Sequence, residues 1–216
     1  MIEKFIYAGT VFMGFAAIMN PISAISIFLT LTINENEESA KKIAFQSTLT
    51  AFLIVVCFSI AGNAFLNFFG IGLTALRLAG GIIVALIGYD MLNGHHSNVN
   101  GSADETLEHA IKEEGSIAIT PLGIPLLSGP AVIITAMNFS AGNISNISIT
   151  IFAFLILCII TYFIFIFGKQ IKQVLGASSL KVVTKMMGLI LSVIGMQMIL
   201  DGVYGAIKDF QGMTLF

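Results

Sequence analysis

Apolar residues in this chain are grouped into long runs, and polar segments separate most of the runs. Six runs reach the length of about 20 residues that a helix needs to cross a membrane. They cover residues 5–33, 43–69, 73–92, 117–139, 147–167 and 183–204. Together they take up well over half of the chain and leave no room for a soluble domain of useful size. The pattern predicts an all-α membrane protein with six transmembrane helices.

The composition agrees with a membrane protein. Of the 216 residues, 56% are hydrophobic and only 10% are charged, whereas about 25% of a soluble domain is charged. A net charge of -2 provides no basic surface for nucleic acid. No Cys or His spacing resembles a zinc site, and Cys57 and Cys158 lie inside apolar runs. We therefore expect the lipid bilayer as the surroundings, with no nucleic-acid partner, cofactor or resident metal.

The two halves of the chain resemble each other weakly but in register. Two segments of the first half align with two of the second at nearly one offset, 109 and 107 residues. The aligned pairs are 13–27 with 122–136 and 76–92 with 183–199. The second alignment superposes two pairs of glycines, Gly81 on Gly188 and Gly88 on Gly195. This pattern indicates an internal duplication.

Each half contains three spans, so the second half must enter the membrane from the opposite side. The sequence predicts two inverted three-helix repeats, 1–92 and 117–216, joined by a polar cytoplasmic linker at 93–116. Inverted repeats are typical of secondary transporters. With both termini outside, the inner segments hold seven Lys and Arg residues and the outer segments three. The positive-inside rule therefore favours an N-out, C-out orientation.

A proline interrupts the first span of each half near its middle. The interruptions are Asn20-Pro21 in the first half and Ser128-Gly129-Pro130 in the second, where Pro121 and Pro125 also lie close by. Proline removes a backbone donor and clashes with the preceding turn, and Asn and Ser are favoured N-cap residues. We expect each span to stop and restart, with a half-helix beginning at Pro21 and at Pro130. A proline kink with packing value only is the alternative.

A half-helix that restarts inside the membrane presents unpaired N–H groups and a partial positive charge. Such an end suits a carboxylate or another small anionic group, and hydroxyl groups follow both restarts within two turns. The candidate substrate-binding residues are Asn20, Pro21, Ser23, Ser26, Ser128, Gly129, Pro130 and Thr135.

At these motifs the chain resembles a known family. NPISAISIF at 20–28, ITPLGIPLLSGP at 119–130 and MGLILSVIGMQMILDGV at 187–203 resemble the MarC family of six-span bacterial inner-membrane proteins. The resemblance implies transport of small neutral amino acids, driven by an ion gradient. Ser23 stands where the family often has glycine, and Ser26 where it often has proline. Both differences add a hydroxyl beside the presumed site.

Few ionisable residues lie within the spans. Arg77 and Lys185 begin the third and sixth spans, and Asp90 and Asp201 nearly close them. Both signs oppose the helix dipole, so ion coupling through Asp90, Asp201 and Arg77, or pairing with another helix, would explain them. Interfacial anchoring in headgroup water is the simpler alternative. The coupling ion would be a proton or sodium.

Three histidines in the linker support a different function. His95, His96 and His109 lie near acidic residues, so an exporter of a metal or other inorganic ion is the second hypothesis. A membrane-embedded enzyme is the third, but the chain has no HExxH or GxSxG motif and no acid or histidine pair within a span. The sequence leaves a homo-oligomer open.

Overall fold

The structure is a computed structural model that describes residues 2–93 and 127–213. In these two ranges every regular element is a helix, as predicted. The helices are α1 (Ile2–Met19), α2 (Pro21–Leu31), α3 (Glu37–Phe68), α4 (Leu73–Asn93), α5 (Pro130–Ser140), α6 (Ile144–Ile166) and α7 (Gly168–Met213). Within α7, Gly176 has a non-helical backbone with φ 65° and kinks the helix, a conformation that glycine adopts without steric cost.

Five stretches of helix are long and apolar enough to cross a membrane. They are Ile2–Leu31, which comprises α1 and α2, and Glu37–Gly62, Leu73–Asn93, Ile144–Ile166 and Lys181–Lys208. The remaining predicted span, 117–139, lies partly outside the described residues. Its described part contains α5, an apolar helix of 11 residues. Residues 94–116 of the linker, which include its three histidines, also lie outside the described residues. The same is true of Pro121 and Pro125.

Asparagine caps determine where the second spans of the two halves begin. The Asn36 side chain accepts a hydrogen bond from the Ser39 amide at 2.7 Å, directly before α3. The Asn143 side chain accepts one from the Asn146 amide at 2.9 Å, directly before α6. Each cap satisfies an amide that the first helical turn leaves unpaired. The two capping residues are 107 positions apart in the chain.

The core consists of two apolar clusters surrounded by an apolar exterior. One cluster joins α1, α2, α3, α5 and α6. In it the Phe15 and Phe154 rings pack edge to face with centroids 4.8 Å apart, and the Phe28 and Phe165 rings stack at 4.5 Å. The other joins α4 and α7 with residues of α1 and α5. Large side chains on the outside are also apolar, Phe152 and Val193 among them. An exterior of this kind is unfavourable in water and suits lipid.

Helices α4 and α7 run antiparallel, and their backbones approach closely at four glycines. A Cβ atom added to Gly81 would lie 2.7 Å from the Gly195 carbonyl oxygen, and one added to Gly195 would lie 2.8 Å from the Gly81 carbonyl oxygen. The same relation joins Gly88 and Gly188, at 2.7 and 2.9 Å. Small residues at such a crossing let the backbones pack without intervening side chains.

Contacts between helices define two ends of the bundle. At one end the Tyr7 hydroxyl donates to the Phe139 carbonyl, and Gly205 packs against Thr74. We call this the Tyr7 end. At the other end, the Thr184 end, the Ser23 and Thr184 hydroxyls are hydrogen-bonded, and Gly188 packs against Met91. The beginning of α1 and the last turns of α7 therefore share one end.

Candidate functional site

The first break lies at Asn20, which has a left-handed backbone with φ 40° and ψ 65°. Its side-chain oxygen accepts from the Ser23 amide at 3.4 Å, and its side-chain nitrogen donates to the Ser23 hydroxyl at 2.7 Å. Asparagine is among the few residues other than glycine that tolerate this conformation. Helix α2 begins at Pro21, as predicted.

The second break lies at Gly129, and α5 begins at Pro130, as predicted. The Gly129 carbonyl accepts from the amides of Val132 and Ile133, at 2.9 and 3.2 Å. The expectation that Ser128 caps this helix is wrong, because the N-cap is Gly129 and it makes no side-chain cap bond. The cap falls directly before the proline at both breaks, since proline occupies the first helical position.

Both breaks lie inside the bundle and are flanked by the same two clusters. Met19 and Leu127, which precede the breaks, belong to the cluster around Phe15. Ala17 and Ala131 belong to the α4–α7 cluster. Asn20 and Ser128 are themselves buried. Two helix restarts that are more than 100 residues apart in sequence are therefore packed against the same two apolar clusters.

Thr135 is one of four buried residues in the described part of the chain, with Ser59, Ser140 and Thr150, whose hydroxyls have no hydrogen-bond partner, and it is the one among the candidate site residues. Its side chain is fully buried, it lies in the second turn after the α5 restart, and its hydroxyl has no hydrogen-bond partner. By contrast, the Thr48 and Thr161 hydroxyls donate to the carbonyl four residues earlier, at 2.9 and 2.7 Å. A buried polar group without a partner is unfavourable and points to a ligand or water that completes it. Ser26 lies half-buried on α2.

Thr184 is a residue of this region that the sequence analysis missed. Its hydroxyl is 2.6 Å from that of Ser23, which also accepts from Asn20, so a short polar chain joins the first break to α7. The repeat alignment could have identified Thr184, because the offset of 107 residues places it on Arg77, which is one of the charged candidates. A threonine in an apolar helix is inconspicuous, whereas an arginine is not.

The charged candidates contact other parts of the bundle. The half-buried Arg77 donates from Nε to the Asn138 side-chain oxygen at 2.8 Å, near the end of α5. Asp90 is half-buried in the last turn of α4. Asp201 is exposed and accepts from Gln197 on its own helix at 2.8 Å. Among the described residues, no group of three or more His, Cys, Asp or Glu residues could hold a metal ion.

A bundle of spanning helices with an apolar exterior defines the class of an integral membrane protein. The chain belongs to the MarC family of integral membrane proteins, whose family model matches residues 5–207. The chain is 34% identical to the UPF0056 membrane protein YvbG of Bacillus subtilis, over 90% of this chain and 93% of that protein. It is 36% identical to the UPF0056 membrane protein PH0760 of Pyrococcus horikoshii, over 89% and 92% respectively. No solved structure matches the chain.

Proposed function

We propose that this protein is a secondary transporter that moves small neutral amino acids, or similar zwitterions, across the bacterial inner membrane. It works by alternating access and is driven by a proton or sodium gradient. The observation that carries the proposal is the pair of helix restarts at Pro21 and Pro130, which follow the buried residues Asn20 and Gly129 in an apolar bundle. Non-helical backbone at membrane depth is tolerated where it lines a site or is buried in protein.

Corresponding features of the two halves support an inverted repeat. The half-helices α2 and α5 each have 11 residues, and the second spans begin with asparagine caps 107 positions apart. The glycine crossing is also symmetric. Exchanging each glycine for its equivalent 107 positions away converts the Gly81–Gly195 contact into the Gly188–Gly88 contact, which is the other one observed. A two-fold axis across the helices produces this relation, and such an axis is typical of transporters with inverted repeats.

The chemistry at the breaks suits a zwitterion. The first turns of α2 and α5 would hold the substrate carboxylate, because the helix dipole and the backbone amides there favour an anion. The side chains contributing to the site are Asn20, Ser23, Ser26, Ser128 and Thr135, with Pro21, Gly129 and Pro130 shaping the backbone. The unpartnered Thr135 hydroxyl supplies a hydrogen bond that the substrate completes. Carbonyls released at the breaks would accept from the ammonium group.

The alternative to amino acid transport is export of an inorganic ion, and the linker and the spans bear differently on the two functions. An exporter of a metal or other inorganic ion rests on the linker histidines, which lie outside the described residues. The described residues favour the zwitterion, because hydroxyl groups and helix ends surround both breaks. Coupling is assigned to Asp90, Asp201 and Arg77, because ionisable residues within spans are rare and often functional.

Uptake into proteoliposomes tests the proposal. The purified full chain is reconstituted and given a panel of labelled amino acids, with proton and sodium gradients imposed separately. We expect gradient-driven accumulation of one or more small neutral amino acids, competed by the parent acid and much less by its amide. Equal competition by acid and amide would refute the carboxylate assignment. Absence of uptake across the whole panel under both gradients would refute the amino acid proposal.

A further inference from the structure

Two hydrogen bonds join the third span of one half to the half-helix of the other half. The first connects Arg77 on α4 to Asn138 on α5, from Nε to the side-chain oxygen at 2.8 Å. The second connects Thr184 on α7 to Ser23 on α2, between the hydroxyls at 2.6 Å. All four side chains are half-buried. Each bond therefore crosses from one proposed repeat to the other within the bundle.

The third-span partners of these bonds occupy equivalent positions. Arg77 and Thr184 are 107 residues apart, the same offset that superposes Gly81 on Gly188 and Gly88 on Gly195. The equivalence applies to the third spans only, since Ser23 is in the first turn of α2 and Asn138 is in the last turn of α5. The equivalent residues Arg77 and Thr184 therefore each form a hydrogen bond to the half-helix of the other half.

The two bonds lie at opposite ends of the bundle. Arg77 is next to Leu78, against which Gly202 packs. Thr184 precedes Gly202 by 18 residues on the same helix, which corresponds to about 27 Å at the rise of an α-helix. This separation is close to the thickness of about 30 Å of the hydrocarbon core. The Arg77 bond is thus near one membrane face and the Thr184 bond near the other.

We propose that the Arg77–Asn138 and Ser23–Thr184 bonds are two latches that close the path to the second break, at Ser128 and Gly129, from opposite membrane faces. Ser23 takes part in both the site and its latch, because it is hydrogen-bonded to Asn20 at the first break. The proposal rests on the transport function proposed above and adds the residues that hold the site shut on each side. Both bonds are formed in this structure, so both latches are closed in it. Opening one latch lets α5 or α2 move away from the third span while the other latch keeps its end sealed.

A polar contact at such a position is suited to switching. When the latch is closed, each polar group satisfies the other in apolar surroundings. When it opens, water that enters from the nearby face replaces the lost hydrogen bond, so the free-energy difference between the two states is small. The Arg77 bond is charge-assisted and therefore the stronger of the two. If the contact were apolar, opening it would expose apolar surface to water, and no new hydrogen bond would offset that cost.

Cysteine labelling from each side tests the latches without any need for substrate. The reporter is Ser128→Cys, buried at the second break, in a full chain in which Cys57 and Cys158 are replaced by Ala. Oriented vesicles receive a membrane-impermeant thiosulfonate reagent on one face at a time. We expect Thr184→Val to raise the labelling rate about fivefold from the Thr184 end only. Asn138→Leu should raise it about tenfold from the Tyr7 end only.

Two matched controls break hydrogen bonds that stay within one helix. The Thr10 hydroxyl donates to the Ile6 carbonyl at 3.1 Å, and the Gln197 amide donates to Asp201. Thr10→Val and Gln197→Leu should leave labelling unchanged from both faces. Equal increases from both faces in the latch variants, or no increase in either, would overturn the proposal. Side-specific labelling without amino acid uptake would support the latches and count against the substrate assignment alone.

Discussion

Asn20 adopts a left-handed backbone and also caps α2, so two different properties of asparagine are used at one position. Alanine would lose the cap, at about 1 kcal/mol, and would add a left-handed strain of about 1–2 kcal/mol. Glycine would lose the cap but relieve the strain. We expect Asn20→Ala to lower the free energy of unfolding by about 2–3 kcal/mol, well beyond the loss in Asn20→Gly. Denaturant titration in detergent measures both, and equal losses would contradict the role of the backbone.

Gly129 has φ -60° and ψ 173°, which is the extended backbone that any residue adopts before proline. Gly129→Val should therefore insert and fold, while its side chain blocks the approach of substrate to the α5 amides. We expect loss of substrate binding, measured by scintillation proximity on purified protein. Gly9→Val is the control, because nothing lies within 4 Å of a Cβ added at Gly9. Full binding by Gly129→Val would remove this restart from the site.

The two span aspartates differ in exposure, since Asp90 is half-buried and Asp201 is exposed. If either couples an ion, replacement by Asn should abolish gradient-driven uptake and leave substrate exchange intact, because only the titrating or ion-binding oxygen is lost. Counterflow and gradient-driven uptake, measured in the same proteoliposomes, separate the two activities. Unchanged driven uptake in both Asp90→Asn and Asp201→Asn would assign these residues to interfacial anchoring.

At the scale of elements, the crossing of α4 and α7 depends on the absence of side chains. A Cβ atom at Gly88 would lie 2.5 Å from the Ser192 amide nitrogen, and one at Gly195 would clash with Ala85. In both cases the obstacle is backbone, which cannot rotate away. The crossing also explains why the alignment of 76–92 with 183–199 is clearest at its glycines.

Alanine substitution should therefore have opposite effects at different glycines. We expect Gly88→Ala and Gly195→Ala to destabilise the protein by about 1–3 kcal/mol or more, because overpacking forces the helices apart. Gly9→Ala in α1 meets no atom within 4 Å and should be neutral or stabilising by up to about 1 kcal/mol, from helix propensity. Thermal unfolding in detergent compares the stability of the three variants. If all three changed stability in the same direction, the result would argue against a tight crossing.

At the scale of the whole molecule, the contacts at the Tyr7 end place the start of α1 and the last turns of α7 on one side. From the Lys and Arg bias we predict that this side faces the exterior. We expect Glu3→Cys and Lys208→Cys to label from outside intact cells. Glu35→Cys, between α2 and α3, and Ser102→Cys in the linker should label only after permeabilisation. Labelling of Ser102→Cys from outside would reverse the orientation.

The sequence by itself determined the class of protein, the membrane environment and the positions at which α2 and α5 begin. These features depend on local properties. A run of about 20 apolar residues is long enough to cross the hydrocarbon core of a membrane, and proline is favoured at the first position of a helix. The same local reasoning misplaced the cap at Ser128, because it weighed the side-chain preference for serine above the rule that the cap directly precedes a proline at the first helical position.

Only the tertiary structure decided which residues meet across the bundle. The glycines of α4 and α7 are visible in the sequence, but their contacts with the opposite backbone depend on how two distant helices cross. Thr135 looked like other hydroxyls until burial left it without a partner. Thr184 gained its importance from Ser23, more than 160 residues away in the chain. Such contacts depend on packing between distant segments, which hydrophobic periodicity and local propensity do not encode.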